Sequence, residues 1–148
     1  MEIVELLIEL IVYAAVNKSV NKDISIGKLN HKIREGLNIT EKQLYLFLII
    51  LMYLFYENDG KFTHKEKRLI KRELKNRKGE LSFEDYKLYK SVIYKKHNLD
   101  KVVTEIKRCE YDQLIVSRVL RDIKIMFIED DSYRKALIKL DSALFNLV

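Results

Sequence analysis

Thirteen consecutive apolar residues, LYLFLIILMYLFY at 44–56, constrain this chain more than any other feature. The run falls short of the roughly 20 residues a membrane span requires, and its length is that of a buried core helix. The rest of the chain must supply the surfaces that enclose it. No proline occurs, and Gly27, Gly36, Gly60 and Gly79 are the only glycines. So few chain breakers suit long helices better than a β-sandwich, which needs turn chemistry every few residues. With 148 residues, one domain can bury roughly 68 to 70% of its unfolded surface.

Helical spacing of apolar residues continues nearly everywhere, and boundaries are marked by capping residues. The pattern predicts an all-α, single-domain bundle of about six helices over 1–148, with a helical extension at 1–39 and a core at 40–148. The first helix runs to about Val16, and a short one lies near KLNHKIREGL at 28–37. Three capping boxes follow, Thr40 with Gln43, Thr63 with Glu66, and Ser82 with Asp85, opening the apolar helix, a basic helix and the next. Helices near 99–129, broken around Cys109, and near 132–147 complete the chain.

The N-terminal segment MEIVELLIELIVYAAV carries Glu2, Glu5 and Glu9 where a secretory signal would carry lysine or arginine. It reads as an amphipathic helix, and no transmembrane segment is expected. Cys109 is the only cysteine, so no intrachain disulfide can form, and a buried inert thiol is the reading that fits. A cytoplasmic location is the expectation. His31, His64 and His97 lack ligand partners at helical spacing, which argues against zinc, and no nucleophile elbow, phosphate loop or HExxH run occurs. The chain is therefore expected not to be an enzyme. Tyr45, Tyr53, Tyr56, Tyr86, Tyr89 and Tyr94 fall at helical spacings, where the ring packs in a core margin and the hydroxyl finds a partner.

The chemistry worth testing sits after the apolar run, in YENDGKFTHKE at 56–66. With Gly60 as position 6 of a calcium loop, Glu57 falls at 3, Asp59 at 5, Phe62 at 8 and Glu66 at 12, while position 1 is Phe55. That is most of an EF-hand ligand set without its leading ligand. On a helical wheel Leu69, Ile70 and Leu74 define the core-facing arc, and Glu66 and Glu73 fall inside it. An inward carboxylate needs a cation, donors or a raised pKa. Two readings stand for Glu66, metal ligation and capping with Thr63, and Glu73 can reach Arg77. The chain also echoes itself: LFYENDG at 54–60 matches MFIEDDS at 126–132 in character.

An apolar helix ending in Asp59-Gly60, followed by Glu66 at the start of a helix, resembles the TerB-like tellurite-resistance family. The resemblance covers about 44–147, including NLDKVVTEI, and departs at the second motif, where Ser132 and Arg134 stand in place of glycine and glutamate. It implies an all-helical domain, a role in tellurite or general stress response, and weak binding of a divalent cation. Asp59, Glu66 and Glu57 would hold the ion, with Asp130 and Asp131 contributing. Oxygen ligands of this kind favour calcium, magnesium or manganese.

Residues 61–78 hold nine lysines and arginines against Glu66 and Glu73, a local net of +7 where the whole chain carries +6. Lys65, Arg68, Lys71, Arg72 and Lys75 form an outward stripe on the basic helix. It is either a solvated face or a surface for nucleic acid or an acidic protein partner. A homo-oligomer is a further reading, with Ile3, Leu6, Leu7, Leu10 and Tyr13 of the first helix packing against a second copy.

Overall fold

The structure is a computed structural model that describes residues 2–18, 41–59, 63–126 and 131–145. Among these residues there are seven helices and no strand: α1 (Glu2–Lys18), α2 (Glu41–Asp59), α3 (His64–Lys78), α4 (Phe83–Ile93), α5 (Leu99–Arg108), α6 (Gln113–Met126) and α7 (Asp131–Phe145). The all-α expectation holds. The short helix expected at 28–37 and the Thr40 cap lie outside the described residues.

Helix α2 is the axle of the bundle. Every residue from Leu46 to Phe55 is buried, and α1, α5, α6 and α7 all pack against it. A helix apolar all round is stable only when enclosed on all sides, and the surrounding helices supply that enclosure with single apolar faces. On α5 the face is Val102 and Ile106, on α6 Val116, Val119, Leu120 and Ile123, and on α7 Tyr133, Ala136, Leu137 and Leu140. One cluster of buried side chains joins all seven helices. No helix among the described residues is long and apolar enough to cross a membrane.

Two tyrosines tie the layers together through their hydroxyls. Tyr53, fully buried on α2, donates to the carbonyl of Ala136 on α7 at 2.8 Å. Burial, with the Glu57 carboxylate adding to it, pushes the Tyr53 phenol up to about 12, so it remains a donor. Tyr89 on α4 donates to the carbonyl of Lys67 on α3 at 2.7 Å, holding the two helices side by side. Both satisfy the rule that a buried tyrosine packs its ring and finds a partner for its hydroxyl.

The breaks between helices are chemical. Thr63 and Glu66 form the reciprocal box at the start of α3, the Glu66 amide donating to the Thr63 hydroxyl at 3.1 Å and the Thr63 amide to Glu66 Oε1 at 3.1 Å. Ser82 caps α4 by accepting from the Asp85 amide, and Asn98 caps α5 by accepting from the Lys101 amide at 2.9 Å. Helix α3 stops at Gly79, whose φ of 75° suits a residue without a Cβ. The expected interruption at Cys109 is present: Cys109 closes α5, Glu110 takes a φ of 55°, and Asp112 accepts from the Leu114 amide as α6 begins.

The first helix belongs to this core. Ile3, Leu6 and Leu7 are buried and Leu10 packs against the cluster, covered by α2 and α3 of the same chain. This corrects the expectation that the α1 apolar face is available to a second copy, because α2 needs that cover itself; the Tyr13 side chain lies outside those described.

Candidate functional site

Helix α3 touches the bundle along a narrow line. Ile70 and Leu74, one turn apart, are its buried anchors, and α1 is its main neighbour. Leu69, expected in the core-facing arc, is 43% exposed. An anchor line of two residues is narrower than the arc a wheel suggests, and Leu69 falls off its edge toward solvent.

The two carboxylates expected to point inward flank that line instead. Glu66 belongs to the capping box at the helix start. Glu73 keeps 36% of its side chain exposed and pairs with Arg77 at 3.7 Å, the i,i+4 partner the spacing offered. Arg77 in turn reaches Glu9 on α1 at 3.1 Å, so an ion chain fastens α3 to α1. Neither carboxylate is a bare buried charge, and the correction follows from the narrowness of the packed line.

The acidic corners are only partly visible. Glu57 is exposed near the end of α2, and Asp131 pairs with Arg134 in the first turn of α7. The side chains of Asp59 and Asp130 lie outside those described. Among the described residues no group of three or more His, Cys, Asp or Glu side chains is arranged to hold a metal ion.

The outward face of α3 is the opposite case. Lys65, Arg68, Arg72 and Lys75 are exposed, and none has a carboxylate within ion-pair distance among the described residues. They recur at i, i+3, i+7 and i+10, a line of roughly 15 Å at the helical rise. With Lys71, Leu69 and Asn76 they are the described residues that line a surface cleft of about 640 Å³. Lys71 is half-buried and leans over the Tyr86 ring of α4 at 5.3 Å, and Lys67 lies over Tyr94 at 4.7 Å. These cation–π contacts hold two of the helix's lysines against α4 and leave the outer four to solvent.

A second charged cluster was not anticipated from the sequence. Tyr45 on α2 donates to Glu105 Oε1 on α5 at 3.0 Å, and Arg108 grips the same carboxylate with Nε to Oε2 at 2.9 Å and Nη2 to Oε1 at 2.5 Å. The Arg108 guanidinium, helped by the Tyr45 hydroxyl against the opposing effect of burial, holds Glu105 down to about 2. Burial first, then the Glu105 carboxylate, pushes the half-buried Cys109 thiol up, which favours its protonated, less nucleophilic form at neutral pH. The signal was available: Lys101, Glu105 and Arg108 fall at i, i+4 and i+7 on one face of a helix, directly after the run Lys95-Lys96-His97. No family model, curated protein or solved structure matches the chain.

Proposed function

We propose that this protein is a non-enzymatic helical binding module whose α3 outward face receives an acidic protein segment. What carries the reading is Leu69, 43% exposed in the middle of Lys65, Arg68, Arg72 and Lys75, four cations that no carboxylate of the described chain neutralises. A face designed only for solubility mixes charges of both signs and has no need of an exposed leucine at its centre. An acidic peptide or helix carrying one apolar side chain complements both features: the carboxylates meet the cations while leucine meets leucine.

A nucleic acid satisfies the cations alone. Its phosphate backbone would lie over Leu69 and desolvate against it, which favours the protein partner. The capping box and the Asp131–Arg134 pair give the acidic corners a structural use that stands without a cation.

The reading is tested by amide chemical-shift mapping on ¹⁵N-labelled protein. A synthetic helix of glutamates with one leucine per turn is expected to shift the amides of 65–76 and leave α5 and α6 unmoved. A short random-sequence duplex that shifts the same amides at lower concentration would transfer the function to nucleic acid. Silence from both ligands would refute a binding role for this face.

A further inference from the structure

A cavity of about 360 Å³ opens between α2, the α4–α5 connection and α5, on a part of the bundle remote in sequence from the α3 stripe. Its size is at the lower end of the range for small-molecule sites. Four cations border it, Lys95, Lys96, Lys101 and Arg108, against one carboxylate, Glu105. That carboxylate already has both oxygens engaged, by Arg108 and by the Tyr45 hydroxyl. The three lysines have no ion-pair partner among the described residues.

The wall of the cavity is ordered by hydrogen bonds that fix which groups face a ligand. His97 Nε2 lies 2.6 Å from the carbonyl of Val92; a carbonyl only accepts, so Nε2 carries the proton and the neutral ring keeps Nδ1 as acceptor. Burial, against the opposing hydrogen bond to Val92 and with smaller help from Lys101 and Lys95, holds the His97 imidazole below its ordinary range, which favours the neutral ring at pH 7. Lys95 and Lys101 line the same concavity as His97. Ser91 adds a hydroxyl, and the core residues Ile49 and Val102 back the cavity from beneath.

We propose that this cavity binds a small phosphate ester, of nucleoside monophosphate size or smaller. A dianionic phosphate would be held by Lys95, Lys96 and Lys101, with the Arg108–Glu105–Tyr45 triad as the rigid wall behind them. Lysine suits the role because its ammonium is a compact, mobile point charge that can converge on a phosphate from several directions. A cavity of about 360 Å³ leaves room beside the phosphate for the organic part of the ester. An excess of positive charge in a walled concavity also focuses the field and concentrates anions there.

The test is a thermal-shift titration of the full chain with adenosine monophosphate, inorganic phosphate and uncharged adenosine. The monophosphate is expected to raise Tm by roughly 5 °C at saturation, phosphate by less, and adenosine not at all. Lys96→Ala with Lys101→Ala should weaken monophosphate binding at least tenfold while leaving the unliganded Tm and the circular dichroism spectrum unchanged, since both side chains are exposed or border solvent. Arg68→Glu with Arg72→Glu on α3 should leave that affinity intact. No shift with the monophosphate, an equal shift with adenosine, or binding that survives the double lysine variant would each overturn the proposal.

Discussion

Tyr45 on α2 donates its hydroxyl to Glu105 on α5 at 3.0 Å, joining residues sixty positions apart. Glu105 accepts from Arg108 as well, so one carboxylate fastens the axle helix to the helix that ends at Cys109. This polar rivet sits beside an otherwise apolar contact between α2 and α5. It sets the orientation of the α5 face that borders the cavity.

The rivet makes a pH prediction with a definite sign. Glu105 is held at about 2 in the folded chain against an ordinary 4.5. A depressed folded pKa means stability that is fully present above the unfolded value and lost as pH falls through the folded one. Glu105→Gln should therefore be less stable than the wild type at pH 7, and the gap should close between about 4.5 and about 2. Urea midpoints of both proteins across that window check it. A gap that stays constant with pH would show that the carboxylate's charge contributes nothing.

Cys109 should report on the same carboxylate. Its thiol is half-buried and raised first by burial and then by Glu105, so alkylation by iodoacetamide at pH 7.5 should be several-fold slower than that of a free cysteine. Glu105→Gln removes the nearby negative charge and should speed the reaction. Mass spectrometry of a time course reads the rates directly.

At the start of α3, Thr63→Ala should cost about 1 kcal/mol, the usual value of a lost N-cap. Glu66→Gln should be nearly neutral, because glutamine closes a capping box as glutamate does. Millimolar calcium is expected to leave the midpoints of the wild type and of Glu66→Gln where they were. A calcium-dependent rise that Asp59→Ala abolishes would restore the acidic corner as a cation site.

Leu7→Ala removes a fully buried side chain that covers α2 and should cost about 3 kcal/mol. Because α1 is enclosed by its own chain, the unfolding midpoint should not depend on protein concentration. A midpoint that rises with concentration would place the α1 face between two copies.

Much of this architecture was legible in the residues. The apolar run at 44–56 required an enclosed helix, Thr63 with Glu66 announced a helix start, and Glu73 with Arg77 a pair, and each is present. These signals are local, confined to one or two turns. The exposure of Leu69 was not legible, because a wheel gives the direction of a side chain and not the width of the neighbour that covers it. The cluster around Glu105 escaped for a related reason: it is assembled from α2, a connection and α5, and only tertiary packing brings Tyr45 to it. The TerB-like resemblance rests on Asp59, Gly60 and Glu66, of which Gly60 and the Asp59 side chain lie outside those described.

Charge reversal on α3 is the most direct trial of the central claim. Fluorescence anisotropy of a labelled glutamate–leucine helix, measured from about 50 to 200 mM salt, should show binding by the wild type that weakens with salt, and none by Arg68→Glu with Arg72→Glu. Leu69→Ser should weaken binding without changing the salt slope, since it removes an apolar contact and no charge. Equal affinities for the wild type and the charge-reversed protein would contradict the account.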